Sequence, residues 1–155
     1  MDVTGAKLRR DFPIKPLPIS LVRTANQAKL ESEERVIVQC LDGVIWTDVG
    51  EPAAQRIGDG QAMGFMSNEA FAYYLPAFLE LALGADPKTA SWPQFLALQL
   101  ESLASGKEPT LAALLGTHRL ATVRHCVKRL RHRYFVFFDE VKLEGLLAPH
   151  GQQRS

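Results

Sequence analysis

The sequence is short of cysteine, of long apolar runs and of net charge, and each shortage removes a class of protein. Two cysteines in 155 residues, Cys40 and Cys126, are too few and too far apart for a disulfide framework. Both fall inside expected helices and read as buried or half-buried thiols of a reducing compartment rather than as metal or redox ligands. The longest apolar stretches are interrupted within about ten residues by a charge, Gly or Pro, against the roughly 20 needed to cross a bilayer, so no membrane partner is expected. Residues 1–10 hold no apolar stretch of the secretory kind, which argues for a cytoplasmic protein. Recognisable chemistry is missing too. There is no HExxH, nucleophile elbow, paired-cysteine metal motif or Walker loop, and the acids stand singly along expected helices. The step Gly58-Asp59-Gly60 lacks the Lys-Ser/Thr ending of a nucleotide-binding loop and follows no strand. No catalytic residue, metal ligand or cofactor is therefore expected, and an enzyme whose site is assembled from distant segments remains an alternative.

What is present is an ordinary folded composition, 46% hydrophobic and 23% charged. A chain of this length fits one domain and buries roughly 68–70% of the surface it exposes when unfolded. The net charge of +1 hides a segregated pattern. Residues 1–30 carry six Lys or Arg against two acids (+4), residues 31–108 four against twelve (−8), residues 109–138 six against none (+6), and residues 139–155 come to −1. Such a pattern suits basic and acidic segments that pack beside each other, or a basic segment that meets an acidic partner or a phosphate backbone.

Three prolines between residues 12 and 18 forbid a helix there and favour an extended path, so residues 1–20 read as a Pro-rich arm strapped across the domain. Residues 24–41 suit a helix with Leu30, Ile37 and Leu41 on one side. Arg35-Val36-Ile37-Val38-Gln39-Cys40 also fits a strand, and Asp42-Gly43 then serves as helix cap or hairpin turn, so a short hairpin over residues 35–47 stays open. Trp46 reads as a packing anchor. Residues 47–64 read as loop, with breakers at Gly50-Glu51-Pro52 and Gly58-Asp59-Gly60.

The chain is organised on the helix that follows. Ser67 or Asn68 caps it, Glu69 suits the positive end of its dipole, and Phe71, Tyr74, Leu75, Phe78, Leu79 and Ala82 recur at steps of three and four. Pro76 predicts a kink or a break near Leu75, with the Tyr73 and Tyr74 hydroxyls available to the freed carbonyls. Ser91-Trp92-Pro93 opens another helix, reaching about Ala104, and a short one runs from Pro109 to Leu115 and closes at Gly116. From His118 to Lys142 the positions Leu120, Val123, Val127, Leu130, Tyr134, Phe137 and Val141 predict one long helix with a narrow buried seam, residues 135–138 being the part that also fits a strand. His118, His125 and His132 stand seven apart opposite that seam. Roughly 10 Å then separates neighbours along the axis, too far to share a metal ion, and they read as solvated. The expected fold is a single, mainly α domain over residues 21–145 on a kinked central helix, with a flexible tail at 146–155.

The run Phe65-Met66-Ser67-Asn68-Glu69-Ala70-Phe71-Ala72-Tyr73-Tyr74-Leu75-Pro76-Ala77-Phe78-Leu79, preceded by Gly43-Val44-Ile45-Trp46, resembles an uncharacterised family of small bacterial proteins. Its members carry a Gly-x-x-Trp step and an EAFxYYLPAFL helix. The resemblance covers roughly residues 41–83 and brings no catalytic residue with it; by analogy it implies an immunity or regulatory partner in a toxin system. That agrees with a non-catalytic protein-binding domain whose basic helix, or whose acidic half, docks on a partner of opposite charge such as a cognate toxin, with Arg124, Lys128, Arg131 and Arg133 as the contact residues. A second reading makes residues 108–133 a helix-turn-helix that binds nucleic acid. The spacing from Gly116 to Val123 is one residue longer than that motif uses, and the acidic 31–108 segment opposes DNA.

Overall fold

A computed structural model of the chain describes residues 3–23, 30–105 and 111–134. Among them lie the helices α1 (Val3–Asp11), α2 (Ser32–Leu41), α3 (Glu51–Asp59), α4 (Asn68–Gly84), α5 (Pro93–Ser105) and α6 (Leu111–Arg133), with short 3-10 turns at Trp46–Asp48 and Met63–Phe65. The expected class, a mainly α single domain, holds. The β structure among the described residues is one isolated antiparallel bridge between Val22 and Met66, and no described helix is long and apolar enough to cross a membrane.

α4 is the centre because it is apolar almost all round. Beyond the six residues of its expected stripe, Ala70, Ala72, Pro76 and Ala77 are buried, and α1, α3, α5, α6 and the Trp46–Asp48 turn all pack on it. The Ser67 hydroxyl accepts the Ala70 N–H at 3.0 Å, so the cap is the expected one. Pro76 does not divide the helix, which runs on to Gly84. The tyrosine hydroxyls also go elsewhere than expected. Tyr74 is buried, and its hydroxyl lies 2.9 Å from the Leu41 carbonyl oxygen and 2.6 Å from that of Val44. Tyr73 is half-buried, donates to the Ile14 carbonyl and accepts the Trp46 N–H at 3.2 Å. These two phenols fasten the chain before and after α2 to the centre.

Three sequence expectations are corrected. The first twenty residues are not extended throughout: α1 occupies Val3–Asp11, sends Leu8 into the core and packs on α4 and α6. The proline-rich stretch after it is a strap, held by the Trp46 Nε1–H on the Pro13 carbonyl at 3.2 Å and by the Ile19 N–H on Glu69 at 2.9 Å. No hairpin forms over residues 35–47. α2 continues to Leu41 with Ile37 and Leu41 fully buried, and Gly43 turns the chain at φ +73°, a left-handed conformation that favours glycine. Residues 47–64 are not all loop. α3 begins with Pro52 in its first turn, where a missing N–H costs nothing, and ends at Asp59. Residues 24–29, within the expected helix of 24–41, lie outside the described residues.

Candidate functional site

α6 is built as expected around Gly116, whose φ of 78° and ψ of 169° separate residues 111–115 from the longer helix of 117–133. Leu120, Val123, Val127, Leu130 and Tyr134 are buried, so the predicted seam is real as far as Tyr134. Its partner is α4 above all, with α1 and α5 beside it. The expected continuation to Lys142, the strand alternative at 135–138 and the tail at 146–155 lie outside the described residues.

The amino-terminal turn of the longer piece is tied down by α1. Asp11, its side chain only 3% exposed, accepts from the Thr122 hydroxyl at 2.5 Å, from His118 Nε2 at 2.9 Å and from Arg10 Nε at 3.0 Å. The Arg10 guanidinium, then Thr122 and His118, hold the Asp11 carboxyl well below the usual carboxylate range against the opposing effect of burial. His118 is therefore not simply solvated: its ring is exposed, yet it spans to α1. Arg119 lies 5.9 Å from the Phe12 ring and donates from Nε to the Leu115 carbonyl at 2.8 Å.

The four contact residues expected from sequence do not form one patch. At 100° per residue, Arg124, Lys128 and Arg131 share a strip along one flank, whereas Arg133, nine residues beyond Arg124, points to the opposite side. Lys128 is exposed and Arg124 and Arg131 are half-buried. Arg124 Nε is buried and finds no hydrogen-bond partner among the described residues, so this side chain is set by its apolar stem as much as by its charge.

Arg133 belongs to a second group. One of its guanidinium nitrogens donates to the carbonyl of Ala85, the residue that terminates α4. Beside it, Arg129, His132 and the half-buried Leu83 of α4 line a shallow cleft of about 360 Å³. Arg129 and His132 are functional candidates that the sequence reading set aside. The signal that would have found them is their i, i+3, i+4 relation to Arg133, but the apolar floor of the cleft comes from α4 and carries no sequence mark.

Comparison with protein-family models, with curated proteins and with solved structures finds no match.

Proposed function

We propose that the chain is a non-catalytic protein-binding domain whose partner docks on the outward half of α6, in keeping with an immunity or regulatory role beside a bacterial toxin. The observation that carries this reading is that residues 109–138 hold six bases and no acid, while the opposite face of the same helix is committed to the core. A helix anchored along one side and cationic along the other presents preformed charge to an acidic surface, which raises the association rate and fixes orientation. The resemblance of residues 41–83 to the EAFxYYLPAFL family belongs to the same reading, because that helix supplies the centre on which α6 is mounted. The cytoplasm is the compartment that suits two cysteines that form no disulfide.

The helix-turn-helix alternative draws less support from the geometry. A recognition helix reads bases with its first turns, and here His118 and Thr122 are spent on Asp11 while Arg119 is held against Phe12 and Leu115.

Affinity capture from host lysate, with and without nuclease, tests the proposal. One stoichiometric protein that survives nuclease is the expected result. Reversal of Arg124, Lys128 and Arg131 to Glu, with Arg133 kept because its Ala85 bond supports the fold, should weaken its capture at least about tenfold, roughly 1.4 kcal/mol, with the circular dichroism spectrum unchanged. Unaltered capture by the folded variant would refute the assignment of these residues.

A further inference from the structure

We infer that the cleft between the carboxy-terminal ends of α4 and α6 seats an acidic peptide segment of the partner, a side-chain carboxylate flanked by an apolar residue; this rests on the protein-binding reading above and gives it a place and a chemistry. Three cationic or protonatable side chains one turn apart, Arg129, His132 and Arg133, surround an apolar floor at Leu83. Carboxylate recognition needs planar donors held in position. Arg133 meets that need before anything binds, because its bond to the Ala85 carbonyl fixes the guanidinium at the end of α4. The carbonyls at that helix end also favour a cation there.

Of the described acids nearby, one is engaged in its own turn. Asp86 and Glu51 are close enough to act on the Tyr134 phenol, but Asp86 Oδ1 is engaged with the Lys88 N–H at 2.9 Å, in its own turn. The floor argues for a side chain rather than an inorganic ion, since Leu83 gains only from an apolar contact. A single-stranded nucleic acid would want aromatic surfaces on which to stack its bases, and none is among the described residues that line the cleft. The −8 carried by residues 31–108 opposes a long polyanion but not a short peptide.

The test is a residue-resolved NMR titration of the full chain with four probes: acetyl-Leu-Asp-Glu-Leu-amide, its Leu-Asn-Gln-Leu counterpart, inorganic phosphate and an oligothymidylate. Saturable shifts at Leu83, Arg129, His132 and Arg133 with the acidic peptide alone are expected, weakened about tenfold in the R129E/H132Q double variant. Arg133 is left intact there because its Ala85 bond also supports the fold. No shift at millimolar peptide, shifts centred elsewhere, or an equal response to the amide peptide, phosphate or DNA would overturn the inference. Capture of the partner separates the two levels of the proposal. Loss with R124E/K128E/R131E but full retention with R129E/H132Q refutes the cleft and leaves the protein-binding reading standing. Retention by both variants refutes the binding face as a whole.

Discussion

Replacing Tyr74 by Phe removes a single oxygen from the centre of the molecule, and the structure sets how much that should cost. The hydroxyl has one proton to give and lies closer to the Val44 oxygen, at 2.6 Å, than to that of Leu41, at 2.9 Å. Leu41 keeps a partner when the hydroxyl goes, because the Val44 N–H also reaches its carbonyl at 3.0 Å. The Val44 carbonyl loses its short bond, although Val44 is half-buried and water can replace part of it. One lost hydrogen bond with partial rehydration amounts to about 1–2 kcal/mol. In a domain of this size that lowers the melting temperature by about 3–6 °C. Urea unfolding followed by circular dichroism measures it directly, and the slope against urea should not change, because the surface exposed on unfolding is the same. A loss below about 0.5 kcal/mol would mean that the hydroxyl is hydrated in solution. A loss above about 3 kcal/mol would mean that it organises the turn after α2 rather than merely bonding to it.

Phe78→Ala empties a fully buried site in the middle of α4 and should cost about 3–5 kcal/mol by the same unfolding assay; a much smaller loss would remove α4 from the core. Gly58→Ala should destabilise by about 1–3 kcal/mol even though alanine is the better helix former. The reason is that the new methyl would stand 2.7 Å from the Cβ of the fully buried Trp92, and a stabilised variant would refute that close approach. Asp11 makes stability depend on acid. Its carboxyl is depressed in the folded state, so its contribution is complete above the unfolded value of about 3.9 and is lost as pH falls toward the folded one. Asp11→Asn should therefore be less stable at neutral pH and lose less on acidification below about pH 4, which unfolding free energies measured across pH will show.

The elements that could be read from sequence are those whose burial and local chemistry agree. α4 shows its apolar spacing and its Ser67 cap, α5 its Ser91-Trp92-Pro93 opening, and α6 its seam, because in each the signal lies within a few turns of the residues that obey it. α3 was hidden for the opposite reason. Pro52 and Gly58 resemble breakers until the first is seen in an opening turn and the second against Trp92, 34 residues away in the chain. α1 offers little apolar surface beyond Leu8 and is held by what it meets, Asp11 on Thr122 and Arg9 on Glu80 at 3.0 Å. The positive charge of the candidate site was legible as composition. Its division into two flanks follows from helical geometry once the seam is placed, whereas the Leu83 floor and the Ala85 anchor under Arg133 depend on where α4 ends beside α6.

The bond between Asp11 and Thr122 joins residues 111 positions apart, and this bears on how the chain matures during synthesis. A ribosome adding about 5–20 residues per second leaves α1 outside the exit tunnel for several seconds or more before α6 is made. During that interval Leu8 has α4 to pack on but not α6, and the Asp11 carboxylate has Arg10 but neither Thr122 nor His118. Closure of the domain therefore waits for α6, so that a helix made early is among the last to be locked.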